Sequence, residues 1–362
     1  MTLKKGLLAG ASLPMPISPY TLRRKKTVLI VVGVLMIAGG VACGVLWISQ
    51  ATNEQATPAA PETIRLAAEA GLLASSVWVA EQNGYFTEEG LDVRIREYGS
   101  GRAAFRGLLE EEGLDIATSA QTPVVAESFS RRDFAVIAAM VSSQNDTKIL
   151  ARKDRNIRSP ADLQGKRIGV TKNSTGHYFL GLFLAQHGLG LDDVTVTDIA
   201  APDLAAAAIQ GDVDAISSWE PHIYNAKKTL AGNAMVFESD GTFREDFYFV
   251  AFRDWARQHA GTLQKFLRAI DKANAFMATH PAGSQEIVAK RLQIDPGMVA
   301  AVWSDFDFGL FLDQAVLLAF EQQARWIIRN GNAENVKLPN YLEFIWLDAL
   351  DAVLPGSISI IR

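Results

Sequence analysis

Four short stretches of this chain gather hydroxyl, amide and glycine residues directly after apolar runs. They are Leu72–Val77 with Ser75 and Ser76, Gly99-Ser100-Gly101, Thr118 to Gln121 with Ser119, and Lys172 to His177 with Asn173, Ser174 and Thr175. These residue types suit binding. Hydroxyls donate and accept hydrogen bonds, and glycine lets a ligand approach the backbone closely. A helix that starts at such a loop presents free N–H groups and a partial positive charge, a cradle for an anion. A fifth stretch, Ser217-Ser218-Trp219-Glu220, adds an aromatic ring and a carboxylate.

Each stretch also has a plain structural reading. Ser75, Ser76, Ser174 and Thr175 suit helix N-caps, and Gly99 and Gly101 suit turns. His177 suits a solvent-facing first turn. Trp219 reads equally as a stacking wall or as packing beneath a hinge. Glu220 reads equally as the partner of a ligand amine or as a cap on the helix after Pro221. With Glu220 in the site, a zwitterion or a donor-bearing heterocycle is favoured. Without it, a sulfonate, nitrate or carboxylate is favoured.

Catalytic patterns are missing from the sequence. His177, His187, His222, His259 and His280 are dispersed, without an HxxxH or HExxH pair, so zinc hydrolysis lacks ligands. There is no G-x-S-x-G elbow and no G-x-x-x-x-G-K-[ST] phosphate loop. Ala104, followed by Phe105 and Arg106, stands where a G-x-G-x-x-G pattern from Gly99 needs its third glycine. The reading is a binding protein without cofactor or metal, not an enzyme.

The elements that must position these loops alternate strand and helix. IRLAAEA (64–70) reads as a buried strand, followed by a helix through Val77 to Gly84. LDVRIREY (91–98) alternates Leu91, Val93 and Ile95 with Asp92, Arg94 and Arg96, as a half-buried strand does. A helix follows to Glu112, and LDIATSA (114–120) is the next strand. A similar series runs through RIGVT (167–171), a helix at Tyr178–His187, DVTVTDIA (193–200), a helix at Leu204–Gln210 and VDAISSW (213–219). Both series open their last strand on related motifs, Gly113-Leu114-Asp115-Ile116 and Gly211-Asp212-Val213-Asp214-Ala215. Such alternation predicts parallel-rich α/β sheets with helices on both faces, in two lobes of like architecture. Lobe 1 spans 62–148 and 250–362, and lobe 2 spans 149–249. KILARK (148–153) and DFYFVAFRDW (246–255) are expected to cross between them. Helices close the chain at Thr262–His280, Ala282–Arg291, Gln314–Arg329 and Tyr341–Val353.

The chain has 362 residues and a net charge of −5, unevenly spread. Residues 1–26 carry six basic and no acidic residues, and residues 27–49 carry no charge. The remainder holds 29 basic against 40 acidic residues. An acidic body argues against nucleic acid as a partner. Residues 27–49, TVLIVVGVLMIAGGVACGVLWIS, are long enough to span a bilayer, at about 35 Å as a helix. The basic residues before them place the amino terminus inside and the body on the periplasmic or extracellular side. We read this run as an uncleaved anchor, with a cleaved signal or lipid on Cys43 as the alternatives. Residues 50–61 read as a linker.

Three groups of segments carry a family resemblance. They are Ala80-Glu81-Gln82-Asn83-Gly84-Tyr85-Phe86 with Glu89-Gly90-Leu91-Asp92-Val93, then Leu163-Gln164-Gly165-Lys166-Arg167-Ile168-Gly169-Val170, then Gly211-Asp212-Val213-Asp214-Ala215 with Trp219-Glu220-Pro221. In this order and spacing, over about residues 63–355, the chain resembles the nitrate/sulfonate/taurine-type substrate-binding proteins of ABC importers. The resemblance implies a two-lobed, periplasmic-binding-protein-like (type II) fold. It also implies a monomer that closes on a small ligand and partners with ABC permease and ATPase subunits. A membrane-anchored sensing ectodomain is the alternative role. The fold is also similar to fungal-type synthases of the thiamine pyrimidine, which carry a cysteine-rich segment. The body here has no cysteine.

Overall fold

The computed structural model describes residues 60–241, 243–331 and 337–361. The expected basic segment, membrane span and most of the linker lie in residues 1–59, outside the described residues. Among the described residues, no helix is long and apolar enough to cross a membrane.

Eleven strands form two mixed sheets among the described residues: β1 (Glu62–Glu69), β2 (Leu91–Tyr98), β3 (Ile116–Ala120), β4 (Phe134–Ser143), β5 (Lys148–Arg152), β6 (Arg167–Val170), β7 (Thr195–Asp198), β8 (Ala215–Ser218), β9 (Ala234–Phe237), β10 (Glu245–Phe252) and β11 (Phe306–Phe311). The first sheet has the order β2-β1-β3-β10-β4-β11 and the second β7-β6-β8-β5-β9. In the first, β1 runs parallel to β2 and β3, while β10 is antiparallel to β3 and β4. The second repeats this plan, with β6 parallel to β7 and β8, and β5 antiparallel to β8 and β9.

The related Gly-x-x-Asp motifs do the same work in both sheets. Asp115 accepts from the backbone N–H of Arg65 at 2.8 Å and pairs with its guanidinium at 2.9 Å. Asp214 accepts from the backbone N–H of Arg167 and pairs with its guanidinium, both at 2.9 Å. Each aspartate thus ties the start of a third strand to the first strand of its sheet.

The segments expected to cross between lobes do not cross. Paired on both sides, β5 lies within the second sheet and β10 within the first. The chain crosses after β4 and again after β9. The expected closing helix is interrupted as well. Ile345 bridges to Val136, and the Trp346 N–H donates to the Val136 carbonyl at 2.9 Å, which splits the segment into a turn at Tyr341–Phe344 and a helix at Asp348–Val353.

Alternation along the strands sorts the core. In β5, Ile149 and Ala151 face one apolar layer with Ile168, Phe179 and Phe183, while Leu150 faces the other with Leu204, Ile216 and Ile223, as a period of two requires. The first sheet carries the larger core. There Phe266, on the helix Ala260–Thr279, stacks on Phe86 at 5.6 Å and meets Phe249 edge-on at 4.9 Å.

Candidate functional site

The carboxyl ends of the parallel strands of both sheets face one small cavity. The first sheet contributes Glu69 from the end of β1, Ser100 and Gly101 after β2, and Glu245 and Phe247 from β10. The second contributes Thr171 after β6, Ser174 and Thr175, and Trp219 after β8. Ligands of open α/β sheets bind at this end. The cavity is about 20 Å³, little more than one water needs. A larger solute therefore enters only when the two sheets part.

Helix starts shape its walls. Ser100 is the N-cap of the helix Gly101–Glu110, and its hydroxyl accepts from the Ala103 N–H at 3.2 Å. A Cβ on Gly101 would stand 2.6 Å from the Phe247 ring and 3.0 Å from the Ala120 nitrogen, so this close packing requires glycine. Ser174 is the N-cap position of the helix Thr175–Gln186, but its hydroxyl donates back to the Thr171 carbonyl at 2.6 Å. Thr175 is 3% exposed, and its hydroxyl makes no hydrogen bond. It stands close enough to the Glu245 carboxylate to favour the charged form, though off hydrogen-bonding geometry.

Two buried carboxylates dominate the electrostatics. Burial pushes the pKa of Glu69 up to about 8, and the charge of Glu245 adds to the rise. The Gly101 backbone N–H and the Trp219 indole act against it. Burial likewise raises Glu245 to about 7, opposed by Thr147, which donates to Glu245 Oε2 at 2.8 Å, and by Thr175. Asp146, beside them in the crossing segment, is raised by burial and by Glu245 and Glu220. Arg102 is the one basic residue in the lining among the described residues. It donates to the Lys172 carbonyl at 3.1 Å, joining the two lobes at the cavity mouth.

The other expected site residues are used elsewhere. Ser75 and Ser76 are not N-caps: they lie inside the helix Ser75–Gln82, fully buried, because a short 3-10 turn at Leu72–Ala74 leads into it. Ser75 donates to the Leu72 carbonyl and Ser76 to Asn274 Oδ1, both at 2.5 Å. Gly99 borders a neighbouring surface groove. Ser119 donates to the Ala120 carbonyl at 3.0 Å. Gln121 bridges β10, donating to the Arg244 carbonyl at 3.1 Å and accepting from the Asp246 N–H at 3.3 Å. Asn173 adopts a left-handed backbone conformation, and its N–H reaches His177 Nδ1 at 3.4 Å. His177 lies edge-on to Trp326 at 5.2 Å, and burial lowers its pKa.

Trp219 and Glu220 part company. The Trp219 ring lines the cavity, while Glu220 borders a separate groove behind the crossing segments. Glu220 accepts from the Tyr224 N–H at 2.8 Å, at the start of the helix His222–Leu230, and pairs with buried Lys148 at 3.2 Å. It is committed to the junction between the lobes.

Sequence reasoning missed Glu69, Glu245 and Phe247. A signal was available for the acids. Glu69 closes an otherwise apolar strand, and Glu245-Asp246 opens another.

The profile of the family described as NMT1/THI5 like matches residues 74–284. The chain belongs to this family. A relative from Bacillus subtilis, described as an aliphatic sulfonates-binding protein, is 27% identical over 285 residues, covering 77% of this chain and 82% of the relative. The same fold occurs in the alkanesulfonate-binding protein SsuA of Xanthomonas axonopodis pv. citri bound to MOPS. That structure has a TM-score of 0.68 and 22% identity, over 80% of this chain and 99% of that one. The desulfurization enzyme DSZB also shares the fold, with a TM-score of 0.58 and 17% identity over 82% of this chain and 99% of that one. Proteins described as binding proteins and one described as an enzyme thus share this fold.

Proposed function

We propose that this NMT1/THI5-like chain is the extracytoplasmic solute-binding component of an ABC importer, closing two α/β lobes on a small organic solute. The observation that carries this reading is the cavity of about 20 Å³ lined by strand ends and helix starts from both sheets, too small as it stands for an organic solute. A solute bridging Glu69, Gly101 and Glu245 on one side and Thr175 and Trp219 on the other stabilises the closed form by its differential affinity for that form. The names of the relatives supply aliphatic sulfonates and taurine as starting candidates.

The role proposed is binding, the role described for the relatives. The protein acts as a monomer, held to the membrane by residues 27–49, and delivers solute to permease and ATPase subunits.

Thermal-shift screening of the full chain against small sulfonates, amines and heterocycles tests the reading. A saturating solute at about 100 times its Kd adds roughly 2.7 kcal/mol of stability. Trp219→Ala should cut that shift to about half or less. A shift left unchanged by the substitution places binding elsewhere.

A further inference from the structure

The place where a helix N-terminus would hold a ligand anion is taken by the protein itself. The Gly101 N–H, the first of the helix Gly101–Glu110, and the Trp219 indole lie close enough to the Glu69 carboxylate to favour its charged form. Glu245 adds a second carboxylate to the same lining. The only basic lining residue among those described, Arg102, is turned to the Lys172 carbonyl at the mouth. Lys148 is buried nearby but is spent on Glu220 at 3.2 Å and Asp305 at 3.6 Å. A bare anion entering this cavity finds its natural donors occupied by the protein's own groups.

A nitrogen cation meets the opposite situation. Two carboxylate groups are available as acceptors. Thr175 Oγ1, buried in the lining, has no partner of its own and can accept from an ammonium or N–H donor. Trp219 and Phe247 add aromatic rings to the lining, groups that attract cations. The unpartnered hydroxyl is the independent sign that a ligand group belongs there, since an orphaned buried polar atom is costly.

We propose that the solute carries a protonated or N–H-donating nitrogen, held between Glu69 and Glu245 with Thr175 Oγ1, and that a plain sulfonate is excluded. The inference rests on the cleft reading above and narrows its ligand class to solutes with a donor nitrogen, which taurine carries and a plain aliphatic sulfonate lacks. Relief of the two buried carboxylates by a cation is consistent with their raised pKa values near 8 and 7.

Matched probes of opposite charge test it: ethylamine against ethanesulfonate, butylamine against butanesulfonate, and benzylamine against benzenesulfonate, titrated calorimetrically into the full chain. At least one amine should bind and its sulfonate partner should not. Glu69→Gln and Glu245→Gln should each weaken amine binding about 10- to 100-fold, the range for a lost charged hydrogen bond. Glu69→Ala should also gain sulfonate binding, because it vacates the Gly101 amide. Thermal unfolding checks that each variant is folded. Sulfonate binding to the wild type that Trp219→Ala removes would overturn the charge assignment and leave the cleft reading intact. Amine binding untouched by Glu69→Gln, Glu245→Gln and Trp219→Ala would overturn both. Binding of neither probe class would overturn the assignment of a nitrogen cation.

Discussion

Glu69, at the end of β1 in one sheet, and Trp219, just past β8 in the other, meet across the cavity, where the indole favours the charged form of a buried carboxylate. The contact links the lobes through the site itself. Ligand and closure therefore act on the same atoms. Replacing Trp219 with alanine removes one wall and a group that favours the charged form of Glu69. We expect solute affinity to fall at least about tenfold, roughly 1.4 kcal/mol, measured by calorimetry.

Stability should fall as pH rises from about 5 to 8. Glu69, Glu245 and Asp246 have folded-state pKa values raised to about 8, 7 and 6. A carboxyl raised in this way contributes stability that is whole below its unfolded value near 4 and lost as pH climbs through the folded value. A tenfold change in proton affinity between the folded and unfolded chain is worth about 1.4 kcal/mol. The groups facing Glu69 and Glu245 are each other, Asp146, Asp246 and, at the mouth, Arg102. Melting temperatures of the solute-free chain across this range check the sign. Glu69→Gln should flatten the fall.

Gly101→Ala should destabilise the chain by about 1–3 kcal/mol, the usual cost of overpacking, because its new methyl meets the Phe247 ring and the Ala120 amide. Urea unfolding measures this. Solute binding should weaken as well, since the strain falls on the cavity wall.

Asp115→Ala and Asp214→Ala should have like effects in the two lobes. Each leaves a strand N–H, of Arg65 or Arg167, without its acceptor, at a cost of about 1–3 kcal/mol if the amide stays buried. Denaturant curves of both single variants test the equivalence, and additivity in the double variant is expected for distant sites.

How far the sequence could be read follows from where its signals are local. LDVRIREY marks β2 with its observed bounds, because an edge strand with one solvated face shows alternation. Phe134–Ser143 carries no such mark. It is buried on both faces and shows no period. Ala234–Phe237 and Phe306–Phe311 are short edge strands whose pairing partners are distant in sequence. Within the site, Ser100, Gly101, Ser174, Thr175 and Trp219 line the cavity, each beside a strand end or helix start that the pattern marks. Glu69 and Glu245 were invisible for another reason. Whether an acid at a strand terminus faces water or a closed cleft depends on the second sheet, and no local pattern encodes that. Glu220 was legible only as a choice between roles, and its Lys148 partner lies 72 residues away.

The most direct measurement is calorimetric titration of the full chain with a binding amine at pH 6.5, in buffers of different ionisation enthalpy. The account predicts proton release on binding, because a cation between Glu69 and Glu245 ionises carboxyls that burial holds protonated in the empty cleft. Proton uptake, or a heat independent of the buffer, would contradict it.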